Sequence, residues 1–138
     1  MNTKRISYKD GYKYQLQESY CVQTTIHPSF IIKNQFFILD TDGLLTIREG
    51  YAWDGATCCP DMKKILRGSL IHDVLYQMMR EGMLDIAMWR KSVDKELQKA
   101  CIEDGMPSAL AWIIYQAVNV CGKNAALPRN DRRLLTSP

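Results

Sequence analysis

Ile65-Leu66-Arg67-Gly68-Ser69-Leu70-Ile71-His72-Asp73-Val74-Leu75-Tyr76-Gln77-Met78-Met79 is the stretch on which the fold turns. Wound at about 100° per residue, it reads as a helix with two unlike sides. Ile65, Gly68, Ile71, Leu75, Met78 and Met79 cover one arc, while Asp73, Gln77 and Arg80 lie opposite. His72 falls on the border, beside Gly68, Ser69 and Tyr76, where an imidazole is held by the core and still reaches a solvent-filled groove. Asp73 is rotated away from it by one helical step. A histidine so placed is structural unless its neighbours give it work.

The surrounding sequence sets the architecture. Asp61 is a candidate cap for this helix and Gly82 its stop. Asp85 is placed to cap a second helix from Ile86 to Glu103, halted by Gly105-Met106-Pro107. A third is expected over Ser108–Cys121, with Leu110, Ile113, Ile114, Ala117 and Val118 at core spacing and Gly122 beyond its end. Residues 123–138, with Arg129, Arg132 and Arg133, carry no period and read as an extended tail. Upstream, residues 1–56 read as β. Tyr12–Leu16 alternates and Cys21–Ile26 is rich in β-branched residues. Phe36–Leu39 and Leu44–Ile47 flank Asp40-Thr41-Asp42-Gly43, a tight-turn signal. Gly50-Tyr51-Ala52-Trp53 enters a loop, Asp54 to Pro60. The expectation is a single α+β domain over 1–138: antiparallel hairpins or a small sheet, then three helices spanning 61–122, the first two an antiparallel pair.

Composition narrows the class. A chain of 138 residues with 46% hydrophobic and 24% charged residues matches an ordinary globular protein. No run approaches 18 apolar residues, and the polar start predicts no signal peptide. The net charge of +3 gives no ground for nucleic-acid binding. Cys21, Cys58, Cys59, Cys101 and Cys121 are odd in number, which favours reduced thiols. No second Cys/His pair completes a zinc site beside Cys58-Cys59.

In the second helix, Ile86, Trp89, Val93, Leu97 and Ala100 form the apolar arc, and Asp94 sits at its edge beside Arg90, Cys101 and Ala87. That mirrors His72. Packing the two arcs together lets the border residues meet across the seam; otherwise Asp94 is a solvated acid paired with Arg90 or Lys91. An Asp bonded to one imidazole nitrogen fixes the tautomer and stabilises the imidazolium formed when the other nitrogen takes a proton. His72 is then a general base able to activate water. Asp73, with Asp54 and loop carbonyls, is a donor set for a hard cation such as Ca²⁺, which would polarise an ester carbonyl.

His72-Asp73-Val74-Leu75-Tyr76 resembles the His-Asp-x-x-Tyr helix motif of phospholipases A2, most closely their compact prokaryotic and fungal branch. The resemblance covers residues 54–101. It implies His72 as the water-activating base, Asp94 as the acid that orients it, and Tyr76 as the tyrosine that steadies the site. It assigns Asp73, Asp54 and the Gly55 carbonyl to calcium, and implies phospholipid or a membrane surface as partner. Ala56 and Leu75 stand where that family has cysteines, and the glycine-rich calcium loop of its venom and pancreatic members is missing. A second resemblance spans most of the chain. The order Gly50-Tyr51, Asp54-Gly55-Ala56, Pro60, His72-Asp73, Tyr76, Arg90 and Asp94 is similar to a small family of tailed-phage and prophage proteins to which no activity is attached. It implies a phage origin, in the host cytoplasm or the virion.

Two functions follow as expectations. One is a calcium-dependent, phospholipase A2-like esterase, with Met79, Met83, Leu84 and Trp89 rimming an acyl cleft. The other is a non-enzymatic phage component of tail, baseplate or head, or a host-factor binder, in which the His–Asp pair fixes helix packing and other phage proteins are the partners. A phosphohydrolase with a His…His-Asp…Asp metal site fits poorly, because the one other histidine, His27, precedes Pro28 in a β-like segment. A zinc peptidase lacks its His-Glu-x-x-His.

Overall fold

The computed structural model describes residues 8–9, 14–53 and 62–127. The chain divides into two compact units, Met1–Gly55 and Ala56–Pro138. Antiparallel strands come first and three helices after, the α+β order expected.

The first unit holds two small antiparallel sheets. Strands β1 (Tyr8–Lys9), β2 (Tyr14–Leu16) and β7 (Ala52–Trp53) form one, in the order β1-β2-β7. Strands β3 (Tyr20–Gln23), β4 (Ile32–Lys33), β5 (Phe37–Leu39) and β6 (Leu44–Ile47) form the other, in the order β3-β6-β5-β4. The Asp-Gly turn is where the sequence places it. Gly43 donates to the Asp40 carbonyl at 2.9 Å and adopts φ 92°, so the β5–β6 hairpin closes with Phe37 opposite Ile47 and Leu39 opposite Leu45. A side chain at Gly43 would strike the carbonyls of Thr24 and Ile26, so the residue is fixed by crowding as well as by φ. Phe37, Leu39, Leu45 and Ile47 are fully buried, as period-2 alternation requires. One expectation fails here: Ala52–Trp53 is a strand rather than the entry to a loop, paired with β2 through Tyr14↔Trp53 and Gln15↔Ala52. That pairing is long-range, and two residues are too few to show a period.

The second unit is three helices: α1 (Lys63–Arg80), α2 (Ile86–Glu103) and α3 (Ser108–Ala125). The stops at Gly82 and Gly105 are as read. Each takes a positive φ, 78° and 99°, and each closes a Schellman motif: Met83 donates to Met78 and Gly82 to Met79, Met106 to Cys101 and Gly105 to Ile102. Asp85 caps α2 by accepting from the Met88 amide at 2.7 Å. The start of α1 differs: its cap position is Met62, which offers no side-chain bond, and Asp61 lies outside the described residues.

The third helix also departs from expectation. It runs through Gly122 to Ala125, so residues 123–125 belong to the helix rather than to an extended tail; residues 128–138 lie outside the described residues. Gly122 is there for closeness, not termination. A Cβ on it would meet the Tyr76 hydroxyl and stand 3.1 Å from two of its ring carbons. The face of α3 that packs is Ala111, Ile114, Val118 and Gly122, whereas Leu110 and Ile113 are exposed and Ala117 is half-buried. Ile65, Leu97, Cys101, Met106, Ala111, Ile114 and Val118 make the core of this unit. Arg80 on α1 donates to the Ala125 carbonyl at 3.3 Å, placing a cation on the free carbonyls that end α3.

Helices α1 and α2 are antiparallel. Arg67 meets Glu103 and Asp104, Gly68 lies against Leu97 and Ala100, and His72 meets Asp94. Rising numbers on one helix face falling numbers on the other. Gly68 lets the backbones approach, since a Cβ there would sit 2.7 Å from a Leu97 methyl and 3.2 Å from its carbonyl. The thiols do not all stay reduced: Cys121 is a disulfide cysteine whose partner is not among the described residues, while Cys21 and Cys101 form no disulfide.

Candidate functional site

His72 and Asp94 face each other across the α1–α2 seam. His72 Nε2 lies 2.8 Å from Asp94 Oδ1, and the Tyr76 hydroxyl donates to that same oxygen at 2.7 Å. The motif spacing explains the pairing on α1: positions four apart stack on a helix face, and the His72 and Tyr76 rings lie parallel within 25°, centroids 4.1 Å apart. One carboxylate therefore holds two aromatic side chains from a single helical turn. With Asp94 as a carboxylate, which can only accept, this geometry puts a His72 proton on Nε2 and turns Nδ1 away from the carboxylate.

The second carboxylate oxygen is handled differently. Asp94 Oδ2 is buried and has no hydrogen-bond partner among the described residues. Its nearest cation is Arg90, one turn back on α2, whose Nη1 is 3.6 Å away, inside ion-pair range and too long for a hydrogen bond. Arg90 spends that nitrogen on α3 instead, donating to the Asn119 carbonyl at 2.8 Å. Thus α1 supplies His72 and Tyr76, α2 supplies Asp94 and Arg90, and α3 holds Arg90 from outside while Gly122 makes room for the Tyr76 ring. Burial raises the Tyr76 phenol well above its ordinary value of 10.0, the bond to Asp94 raises it further, and Arg90 opposes both. The phenol is a fixed donor.

The enclosure is tighter than a border position implies. The His72 side chain retains 5% exposure and that of Asp94 none. Helix α1 is buried around most of its girth, with Arg67, Ser69, Leu70, Val74 and Tyr76 joining the arc read from sequence. Asp94 is likewise a core residue and not a solvated acid. Of the residues expected to rim a cleft, Met79 and Leu84 are core, while Met83 and Trp89 are half-buried.

The remaining site residues divide by position. Asp73 sits half-buried on α1, one step round from His72. Asp54 and Gly55 lie outside the described residues, so Asp73 is the one described member of the donor set assigned to calcium. Its carboxylate is the hard oxygen donor such a cation takes. Among the described residues, no group of three or more His, Cys, Asp or Glu side chains stands together as a metal site. His27 belongs to the strand unit, its Nδ1 3.3 Å from the Thr41 carbonyl.

Sequence reading missed a second ionic group on the same seam. Arg67 is buried and binds Asp104 at 3.1 Å and Glu103 at 2.7 Å, with the Ala100 carbonyl at 3.4 Å. A signal was present: Arg67 falls in line with Ile71, Val74 and Met78, an arginine on an apolar row that needs acids opposite. No family model, no curated protein and no solved structure matches this chain.

Proposed function

We propose that His72, Asp94 and Tyr76 are the water-activating part of a phospholipase A2-like hydrolytic site in a phage-encoded protein. The observation that carries this reading is the bond from His72 Nε2 to Asp94 Oδ1, with Tyr76 on the same oxygen. That arrangement leaves Nδ1 as the basic nitrogen. Nδ1 takes a proton from water as the oxygen attacks an ester carbonyl, and it returns that proton to the departing alkoxide. Asp94 stabilises the imidazolium between the two transfers, and Tyr76 keeps the carboxylate from turning. Asp73, with Asp54 and the Gly55 carbonyl, would hold calcium, whose contribution when bound is to polarise the ester carbonyl.

The test is phospholipid hydrolysis with calcium present and a chelator control. The wild-type protein should turn over, and His72→Gln should lose about 10²–10⁴-fold while keeping its fold. Calcium should also raise thermal stability by mass action. A wild-type protein inert with calcium present overturns the reading.

The burial of the ring favours a second reading. A phage tail, baseplate or head protein, or a host-factor binder, would use the same network to fix the packing of three helices. Copurification with virions and no thermal response to calcium would support it. No described helix is long and apolar enough to cross a membrane.

A further inference from the structure

The outer faces of α2 and α3 carry a surface that the site does not use. The exposed positions of α2 are Ala87, Met88, Lys91, Lys95, Lys99 and Ile102. Those of α3 among the described side chains, apart from small residues, are Leu110, Trp112, Ile113, Val120 and Lys123. None of them is acidic: the acids of α2 are inside or engaged, with Asp94 and Glu96 buried and Glu103 on Arg67. The two faces are continuous, because the Lys95 ammonium lies over the Tyr115 ring, 5.7 Å from its centroid. Apolar exposure is high for a packed bundle, 54% for Trp112, 56% for Ile113 and 76% for Val120. On a helix Ile113 and Val120, seven apart, share one side, with Leu110 and Trp112 flanking them to left and right.

We infer that this α2–α3 face docks on an anionic lipid surface, with Trp112, Ile113 and Val120 entering the interfacial layer and the lysines at the headgroups. Charge decides among the occupants. A second copy would bring Lys91, Lys95, Lys99 and Lys123 against their own equivalents, since a two-fold interface meets itself. Nucleic acid would satisfy the lysines and leave the aliphatic side chains against water. An anionic bilayer satisfies both halves, and a convex helix face with protruding side chains suits a plane. The inference requires no chemistry at His72.

Cosedimentation of the whole chain with vesicles tests it, using phosphatidylcholine alone and phosphatidylcholine mixed equally with phosphatidylglycerol. Binding is expected to the mixed vesicles, weaker to the neutral ones, and falling with added salt. Each Lys→Gln change at positions 91, 95 and 99 should cost about fivefold in affinity, and Trp112→Ser on the order of tenfold. These positions are exposed, so the variants should keep the wild-type circular dichroism. His72→Gln should bind like wild type, which separates this test from the hydrolase. Equal binding to both vesicles, no binding, or binding that neither the lysine variants nor Trp112→Ser weakens would overturn it. So would self-association that the same variants abolish.

Discussion

Two ionic groups bridge α1 and α2, one at an end of the seam and one at its middle, and they are built on opposite principles. Around Arg67, donors and acceptors balance: a buried guanidinium meets two carboxylates and a carbonyl, and those carboxylates keep 29% and 14% of their side-chain exposure. Around His72, one carboxylate with no exposure takes two partners on one oxygen and leaves the other without a hydrogen bond among the described residues. A saturated group is a clamp with nothing left to offer. An unsaturated one retains a basic nitrogen and a lone pair inside low dielectric, where both count for most. On the proposed reading, the difference separates a residue cluster that holds the bundle together from one that does chemistry.

The largest effect expected from breaking this comparison is at the clamp. Arg67→Met should lower stability by about 3 kcal/mol, the lower end for a broken buried pair because the acids left behind can rotate to water. The urea midpoint reads it, with unchanged slope. A loss under about 1 kcal/mol would put Arg67 among surface pairs and dissolve the contrast.

Tyr76→Phe comes next. Removing a donor to a buried carboxylate should cost about 2 kcal/mol near neutral pH. Its pH dependence has a definite sign. The folded phenol has a raised pKa, so the unfolded chain loses this proton first as pH climbs past its ordinary 10.0. The stabilisation is therefore complete below that pH and is lost above it, at about 1.4 kcal/mol per pH unit. The difference between wild type and Tyr76→Phe should shrink in the alkaline range. A difference that stays constant there would mean the phenol is not held as described.

The smallest effect sharpens the geometry. In an isolated helix Gly122→Ala would gain about 1 kcal/mol, but here the new methyl meets the Tyr76 hydroxyl. A net loss of about 1 kcal/mol is expected from the forced shift. In the Tyr76→Phe background the same change should be neutral or stabilising, a coupling that a double-mutant cycle measures. Additive effects would say that Gly122 and Tyr76 do not touch.

Much of this arrangement was legible before any coordinates, and the exceptions have physical causes. The β5–β6 hairpin, the caps of α2 and the stops at Gly82 and Gly105 are local signals, set by residues adjacent in the chain. The contact of His72 with Asp94 was permitted by the sequence, because both stand at the edge of an apolar arc and the short link at Gly82 makes the helices antiparallel. The place of Tyr76 beside them came from the resemblance alone. What escaped was non-local or ambiguous. Gly122 reads equally as a helix stop and as space for a ring, and the choice lies with Tyr76, 46 residues earlier. Leu110 and Ile113 have core spacing on α3, yet the packed face is set by Val118 and Gly122, which turns them outward. Arg67 was hidden by its charge, and the disulfide at Cys121 has no local mark.

The central claim is that Asp94 holds the His72 proton on Nε2 and keeps Nδ1 basic. Long-range ¹H–¹⁵N correlation spectra of the imidazole ring, on wild type and on Asp94→Asn, measure the tautomer directly. A neutral His72 ring protonated at Nε2 in the wild type, with that preference weakened in Asp94→Asn, is the predicted result; a proton on Nδ1 in the wild type would contradict it.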